Sequence, residues 1–234
     1  MQETVQFYGC YRSKNIMEAI LWKFRTGAAW RDIPEDLCPW QIAYNRFNCW
    51  AINGLWDKFF LKLRGLLDTE WVFIDGSCIR AHQHASGARH SENRAIGTSR
   101  GGITTKIHLA VDANGYPLDF DITGGEVHDG QIAPKLIELV GKADYLVADK
   151  GYDSEKLREC ARILDMIPVI PRKTNSFKGN PEFDGYLYQL RHLVENAFAR
   201  LKHFRAIATR YDKLARNYKA MLRLACIFIW CKDK

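Results

Sequence analysis

Two aspartates stand directly after short apolar runs of the kind that form buried strands. Asp75 follows Trp-Val-Phe-Ile, and Asp149 follows Tyr-Leu-Val-Ala. Carboxylates at the carboxyl ends of sheet strands project into the crevice where open α/β sheets bind ligands, and Mg²⁺ favours such oxygen donors. The two positions predict a shared metal site, although a strand-end aspartate more often only caps a turn, as we expect of Asp112 and Asp153.

A third carboxylate lies in a segment whose spacing predicts one long helix, residues 186–204. Tyr188, Arg191, Glu195 and Lys202 recur at helical spacing, which at about 100° per residue places them within roughly 60° of one another. The apolar residues of the segment gather on the opposite face, so the helix can bury its back. A carboxylate between two cations suits a metal ligand beside adjacent phosphates, but a surface helix with ordinary ion pairs has the same pattern.

The elements around these residues predict an α/β fold with a mixed five-stranded sheet flanked by helices. The expected strands are short apolar runs bounded by turn residues, at 71–74, 105–111, 117–122, 144–148 and 166–170. The Asn114-Gly115 pair predicts a hairpin between the second and third strands, which makes them antiparallel. Helix-like segments at 133–140 and 154–164 make the last two strands parallel.

The first third of the chain predicts a small all-helical domain. Amphipathic spacing indicates helices at residues 13–26, 40–50 and 55–66, with Trp and Phe side chains that we expect in the core. The cluster resembles a helix-turn-helix unit, with Arg46 on the polar side of its middle helix. We therefore expect a helical domain at 1–66 that contacts DNA and a second, catalytic domain at 67–234, although such clusters also serve as packing platforms.

Charge is unevenly distributed along the sequence. The net charge is +7 and the pI about 9.0. Residues 200–234 contain ten Lys or Arg against two acidic residues, whereas residues 107–199 contain ten against fifteen. A basic tail beside an acidic middle suits an enzyme that grips a polyanion with one part and binds cations with another. A solvated helix face explains the basic tail equally well.

Several other classes of protein are disfavoured. No apolar run approaches the roughly 20 residues of a membrane span, no secretory leader is recognisable, and no phosphate-binding Gly-rich string appears. The seven cysteines form no C-x-x-C pair, which indicates reduced thiols and a cytoplasmic protein. His82, His84 and His90 share one loop with Cys78 nearby, but their spacing is looser than that of a zinc site.

Three strings resemble the motifs of bacterial insertion-sequence transposases of the IS-five family. They are Phe-Ile-Asp-Gly-Ser at 73–77, Ala-Asp-Lys-Gly-Tyr-Asp at 148–153, and Tyr188-x2-Arg191-x3-Glu195-x6-Lys202. The third matches the Y-R-E-K signature of DDE transposases without adjustment. Residues 21–34, 115–118 and 205–211 also fit this family, so the resemblance covers nearly the whole chain.

The resemblance implies a ribonuclease H-like core in which Asp75, Asp149 and Glu195 bind two Mg²⁺ or Mn²⁺ ions. Two metals about 4 Å apart activate a water or a DNA 3′ hydroxyl and stabilise the departing oxygen. The expected partner is double-stranded DNA, namely terminal inverted repeats and a target, bound by a homodimer near the nucleoid. Residues expected to contact this DNA are Tyr188, Arg191, Lys202, Lys150, Arg46, Arg100, Arg205 and Arg210.

Residues 1–12 depart from the family pattern. They are shorter than the amino-terminal arm of the relatives and lack its basic Gly-Arg-Pro segment. The leading expectation is an active transposase, because all three carboxylates are present. Two alternatives stay open: a truncated or domesticated copy that binds DNA without cutting it, and a related metal nuclease that hydrolyses DNA without joining it.

Overall fold

Three helices open the part of the chain that the structure describes. The computed structural model describes residues 13–65, 69–86, 94–181 and 183–232. The helices are α1 (Ser13–Thr26), α2 (Trp40–Ile52) and α3 (Leu55–Arg64). All three amphipathic segments are therefore helical, as their spacing predicts.

One sheet contains every strand of the described residues. The strands are β1 (Trp71–Ala81), β2 (Gly97–Ser99), β3 (Gly102–Val111), β4 (Pro117–Gly124), β5 (Tyr145–Val147), β6 (Ile167–Val169) and β7 (Thr209–Arg210). The five predicted strands lie in the order β4-β3-β1-β5-β6, with β1, β3 and β4 antiparallel and β1, β5 and β6 parallel. The strand count of five is corrected to seven, because β2 and β7 are too short to show a period in the sequence.

Strand β1 is much longer than its apolar run predicts. It continues past Asp75 to Ala81, because its second half pairs with β3 through the register Asp75↔Leu109 to Arg80↔Thr104. Asp75 therefore lies inside a strand, and the expectation that it ends one is wrong. The parallel pairing of β1 with β5 stops at Phe73, so Asp75 still lies just beyond the carboxyl end of β5.

The predicted hairpin joins β3 to β4. Gly115 has a φ of +74°, and its amide donates to the Asp112 carbonyl oxygen at 3.0 Å. Asp112 Oδ1 accepts from the amides of Asn114 at 2.9 Å and Tyr116 at 2.7 Å. The aspartate thus closes the turn as its sequence context predicts, and glycine supplies the left-handed backbone conformation that other residues adopt at a cost.

The two crossover helices are α4 (Asp129–Val140) and α5 (Glu155–Ile163). Ser154 caps α5 by accepting from the Leu157 amide at 3.2 Å. Helix α4 begins four residues before the predicted segment, at Asp129, where the His128 side chain accepts from the Gly130 amide. This early start places Asp129 beside the middle of β1.

The long helix predicted at 186–204 is interrupted. It consists of α6 (Gly185–Gln189), α7 (His192–Lys202) and α8 (Arg205–Ala208), after which α9 (Ala215–Lys232) ends the described chain. At the first break, the amides of Leu190, Arg191 and Leu193 donate to carbonyl oxygens only three residues back. Neither proline nor glycine stands there, so the sequence pattern does not reveal the interruption.

The amino-terminal helices share one hydrophobic core with the carboxyl-terminal ones. Phe24 of α1 stacks on Phe204 at 4.3 Å between ring centroids, and Phe60 of α3 lies 4.8 Å from Trp230 of α9. Phe24, Phe47 and Phe60 are fully buried, which confirms that these aromatic residues are core. Across the described ranges no helix is both long and apolar enough to cross a bilayer.

Buried carboxylates on β4 join it to neighbouring helices. Asp119 accepts from Arg64 at 2.7 Å and from Arg223 of α9 at 2.8 Å. Asp121 accepts from Lys135 of α4 at 2.6 Å and from Lys219 of α9 at 2.7 Å. Burial would raise the pKa of Asp121, but the two lysines outweigh it and lower the pKa from 3.8 to about 2.

Asp121 is expected to make folding stability depend on acid pH. Because its folded-state pKa lies below its unfolded value, its contribution is present above that unfolded value and is lost as pH falls to about 2. The loss is on the order of 2 kcal/mol. Urea unfolding of the wild type and of Asp121→Asn, measured from about pH 5 to about pH 2, should show the difference between them shrinking. A difference that stays constant over this range contradicts the assignment.

Candidate active site

Arg191 joins two of the three predicted catalytic carboxylates. Its Nη1 lies 3.2 Å from Asp75 Oδ2 on β1, and its Nη2 donates to Glu195 Oε1 in the first turn of α7. Burial would lower the pKa of Arg191, but Asp75 and Glu195 outweigh it and raise it. Two residues that are 120 positions apart in sequence therefore meet at one guanidinium group.

Asp149 follows β5 and lies near the same place. Its backbone is extended, and its Oδ1 accepts from the Gly151 amide at 2.7 Å, which starts a short 3-10 helix at Lys150–Tyr152. Asp149 thus caps a turn, which is the alternative that the sequence left open for a strand-end aspartate. Capping uses Oδ1, and no hydrogen bond to Oδ2 occurs within the described residues.

The pKa of Asp75 shows that several charges converge on it. Burial raises this pKa, the Gly76 amide at 2.8 Å and Arg191 lower it, and the charges of Asp149 and Asp129 raise it again. The charges of Asp149 and Asp129 therefore act on Asp75, and Arg191 balances part of this negative charge. We refer to these three carboxylates as the acidic group.

Tyr152 lies beneath this acidic group. Its side chain is 3% exposed, and its hydroxyl has no hydrogen-bond partner in the described ranges. Burial raises the pKa of Tyr152, and the charges of Asp129, Asp75 and Asp149 raise it further. The hydroxyl consequently stays protonated, so it can donate a hydrogen bond to an oxygen placed among the three carboxylates.

Asp129 reaches this group from the first turn of α4. Its Oδ1 lies 3.3 Å from both Lys106 Nζ and His108 Nδ1 of β3. Burial raises the pKa of Asp129, but the contacts with His108 and Lys106 outweigh it, so the net shift is downward. A Cβ atom added at Gly76 would lie 2.2 Å from Asp129 Oδ1, so the glycine beside Asp75 makes room for this contact.

Lys202 and Tyr188 complete the set predicted on the α7 face. Lys202 Nζ donates to Ser77 Oγ at 2.8 Å, and Ser77 lies two residues beyond Asp75 on the same side of β1. Tyr188 belongs to α6 rather than α7, packs 5.4 Å from Phe183 between ring centroids, and affects the pKa of Arg191. The break before Arg191 therefore does not separate these side chains from the site.

The carboxylates of the site have the ligand chemistry that a hard divalent cation prefers, but they are not arranged closely enough to coordinate one together. Asp75, Asp149 and Glu195 offer only carboxylate oxygens, which Mg²⁺ and Mn²⁺ prefer. Within the described residues, however, no three His, Cys, Asp or Glu side chains are grouped closely enough to hold a metal ion. Glu195 is 54% exposed and engaged by Arg191. Joint coordination would therefore require Glu195 to leave Arg191 and turn towards the aspartates.

One predicted DNA contact is contradicted by the structure. Arg210 is completely buried, and its guanidinium donates to the carbonyl oxygens of Arg94, Ala95 and Asp212 and to Thr105 Oγ1. A side chain without exposed surface cannot contact DNA, so the expectation for Arg210 is wrong. Its role is to hold the loop before β2 against β3 and β7.

The other predicted cations are accessible to different extents. Arg100, Lys150, Lys202 and Arg205 are exposed, whereas Arg46 is half-buried on α2. The basic tail contributes less surface charge than its composition suggests, because Arg210 is buried and Lys219 and Arg223 form ion pairs with Asp121, Asp119 and Asp57. His90, part of the disfavoured zinc cluster, lies outside the described residues.

Three residues of the site were not singled out by the sequence. Tyr152 and Ser77 belong to the strings that carry Asp149 and Asp75, so their place beside those aspartates was a usable signal. No sequence signal pointed to Asp129, because this residue follows β4 in a loop-like stretch. It joins the site only through the position of α4.

Comparison with known protein families gives two matches along this chain. The family described as "Transposase DDE domain" matches residues 67–230. The family described as "Putative transposase of IS4/5 family" matches residues 3–60. Together these two segments contain all of the residues that form the candidate site, and they contain the amino-terminal helices except the last turn of α3.

Individual relatives agree with these families. Protein y4sN of Sinorhizobium fredii, described as uncharacterized, is 40% identical over 76 residues, which are 32% of this chain and 61% of that protein. A putative transposase for insertion sequence element IS6501 of Brucella ovis is 33% identical over 134 residues, which are 56% of this chain and 100% of that protein. The chain thus spans less than two thirds of the first relative and matches the second along its whole length.

A solved structure shares the fold. The cryo-EM structure of the piggyBac transposase synaptic complex with hairpin DNA superposes with a TM-score of 0.51 at 13% identity, covering 78% of this chain and 51% of that one. At this identity the likeness concerns the fold alone, and it agrees with the ribonuclease H-like order of the sheet. The chain belongs to the transposase DDE domain family, among the insertion-sequence transposases of the IS4/5 type.

Proposed function

We propose that this chain is an active insertion-sequence transposase that binds terminal inverted repeats, cuts DNA at them and joins the cut end to a target. The observation that carries the proposal is the convergence on Arg191 of Asp75 and Glu195, with Asp149 close enough to raise the pKa of Asp75. A purely DNA-binding protein has no need of carboxylates held around the arginine that would meet the DNA, because carboxylates repel phosphate.

Asp75, Asp149 and Glu195 are the proposed ligands of two divalent cations, Mg²⁺ or Mn²⁺. Such ions activate a water or 3′ hydroxyl and stabilise the leaving oxygen in phosphodiester chemistry. Asp75 is held in orientation by the Gly76 amide and Asp149 by the Gly151 amide. Asp149 keeps its Oδ2 for a ligand, whereas Asp75 Oδ2 also accepts from Arg191 and would share that oxygen with a bound cation. Glu195, being exposed, supplies the adjustable ligand.

The cations of the chain position the DNA. Arg191 and Lys202 lie on either side of Glu195 along α6 and α7 and supply positive charge for the scissile phosphate and its neighbour. Tyr188 packs beside Arg191, and exposed Lys150 follows Asp149 directly. Buried Tyr152 stays protonated and donates a hydrogen bond to an oxygen held among the carboxylates, which keeps that oxygen in place.

The remaining parts of the proposal concern the assembly. Exposed Arg205 and Arg100 extend the DNA contact beyond the site, and Arg46 contacts element ends from the three-helix unit at 1–66, with 67–234 as catalytic domain. Two element ends must be brought together, so a homodimer on DNA is expected. The chain is proposed to act in the cytoplasm at the nucleoid.

Metal binding can be tested without DNA. Added Mn²⁺ or Mg²⁺ is expected to raise the melting temperature of the wild-type protein, because a ligand that binds only the folded state stabilises it by mass action. At a concentration of about 100 times Kd the gain is about 2.7 kcal/mol. Differential scanning fluorimetry with a chelator as baseline measures the shift.

The variant Asp75→Asn tests whether the metal-dependent rise in melting temperature depends on the proposed site. The substitution keeps side-chain size but removes a charge, so it should abolish the metal-dependent shift while leaving the protein folded in the chelator. Asp165→Asn, an exposed aspartate outside the site, carries the same charge change and should keep the full shift. Equal shifts in Asp75→Asn and the wild type would leave only a non-catalytic DNA-binding protein.

A further inference from the structure

A cavity of about 620 Å³ opens beyond the acidic group, at the far end of β1 and β3. The side chains that matter here are Cys78 and Arg80 of β1, Arg100 in the turn before β3, Thr104 of β3, and Glu126 in the loop after β4. None of these has a role in the proposed chemistry. Its two guanidinium groups outnumber the single carboxylate and give the cavity a net positive charge.

The cavity lies on a defined side of the sheet. Arg80 is the register partner of Thr104, and Cys78 is the partner of Lys106, so these four side chains share one face. Asp75 is five residues before Arg80 on the same strand, which corresponds to about 17 Å at the rise of a β-strand. The cavity is therefore separate from the metal-binding carboxylates but joined to them by one rigid strand.

Both arginines are available for a ligand. Arg80 and Arg100 are exposed, and neither has an ion pair with any carboxylate of the described residues. The two arginines lie on a β-strand and on a tight turn and line the same cavity. Such a pair favours a planar or tetrahedral oxyanion that accepts several N–H donors.

Thr104 provides an independent observation. It is 4% exposed, and its hydroxyl has no hydrogen-bond partner in the part of the chain that the structure describes. An unsatisfied buried hydroxyl is costly and is therefore uncommon in folded proteins. Thr104 lines the same cavity as the two arginines, so a rotation of its side chain about χ1 would bring the hydroxyl to a ligand there.

We infer that this cavity binds a backbone phosphate of the DNA, with Arg80 and Arg100 as charged donors and Thr104 as a buried hydroxyl donor. The inference rests on the proposed function, since DNA is the polyanion that this family of folds would bring to β1. The phosphate lies away from the scissile bond and fixes the register of the strand rather than taking part in cutting.

Glu126 is expected to affect DNA affinity in the direction opposite to the two arginines. Its carboxylate lines the same cavity and repels a phosphate there. Removing that charge should strengthen DNA binding, whereas removing either arginine should weaken it. A cavity that bound a cation or an amine would show both effects reversed.

The experiment measures affinity for a duplex of the element end by fluorescence anisotropy in a chelator, so that no chemistry intervenes. Arg80→Ala combined with Arg100→Ala should weaken binding by roughly 100-fold and lower the slope of log affinity against log salt by about 2. Glu126→Gln should strengthen binding several-fold. Lys156→Ala changes an exposed lysine of α5 whose side chain has no ion pair or hydrogen bond within the described residues, so it is the matched control and should bind as the wild type does.

Thr104→Val separates ligand binding from folding. The substitution keeps the shape of the side chain and removes an unsatisfied hydroxyl, so the melting temperature should stay the same or rise. DNA affinity should nevertheless fall by about 3- to 10-fold, as expected for loss of one hydrogen bond. A purely structural threonine would change neither the affinity nor the salt slope.

Exposed Cys78 reports on the cavity in the wild-type chain. Element-end DNA should slow alkylation of Cys78, measured by mass spectrometry, and the protection should vanish in the double arginine variant. Three outcomes are distinct. No DNA binding by the wild type overturns the proposed function, DNA binding with an unaltered double variant overturns only this inference, and the pattern above supports both.

Discussion

Asp149→Asn is expected to reduce metal-dependent DNA strand cleavage by roughly 10³-fold or more while leaving binding to element ends nearly unchanged. The substitution removes the negative charge that holds a cation but keeps an oxygen able to accept from the Gly151 amide, which the wild-type side chain does at 2.7 Å. The turn after β5 should therefore form in the variant, and only the chemistry should fail.

The measurement is the rate of strand cleavage on a labelled duplex that contains the inverted repeat, in Mg²⁺ and in Mn²⁺. Asp165→Asn is the matched control, because it makes the same change at an exposed position where the positive φ of +59° suits asparagine. Cleavage by Asp149→Asn at the wild-type rate would refute the assignment of this carboxylate. Loss of binding as well as cleavage would instead indicate that Asp149 orders the DNA surface.

Arg210→Ala is expected to lower the free energy of unfolding by about 3 to 5 kcal/mol. Arg210 is the largest polar side chain without exposure apart from Arg158, and it donates to four oxygens. Its guanidinium also lies 5.1 Å from the centre of the Tyr218 ring. Truncation removes a donor from each of these buried or partly buried oxygens, of which the Ala95 carbonyl keeps a second donor in Thr105 Oγ1, and the desolvation cost of the others is the main part of the loss.

Urea unfolding followed by circular dichroism measures that loss, and Arg205→Ala is the control. Arg205 is exposed on α8, five residues away, so its removal should change stability by no more than about 0.5 kcal/mol. The two variants should also differ in DNA binding, because Arg205 is proposed to contact phosphate. A stability loss in Arg210→Ala as small as that in Arg205→Ala would contradict the anchoring role.

The basic tail, residues 200–234, shows that composition does not predict which cations are exposed to solvent. Ten cations against two acidic residues in 200–234 predict a DNA surface, yet Arg210 is buried and Lys219 and Arg223 pair with carboxylates of β4 and α3. The acidic partners lie about 100 residues earlier in the chain, at Asp119 and Asp121. Only a three-dimensional arrangement distinguishes a cation that meets solvent from one that meets such a partner.

The sequence by itself determined the elements and the residue types at the site. Hydrophobic periodicity is local, so it located α1 to α3, the five main strands and the crossover helices, and it placed Asp75, Asp149 and Glu195 on elements able to converge. Spacing also brought Tyr188, Arg191 and Lys202 to the same side as Glu195, even though α6 and α7 are separate helices.

Tertiary structure decided what depends on pairing and packing between distant segments. Such contacts carry no period, which is why the extension of β1 past Asp75, the bridging of Asp75 and Glu195 by Arg191, and the approach of Asp129 were not predictable. The burial of Arg210 belongs to the same class, because the sequence shows a charge and not its surroundings. Local spacing places a side chain on a face, and the fold alone determines what that face meets.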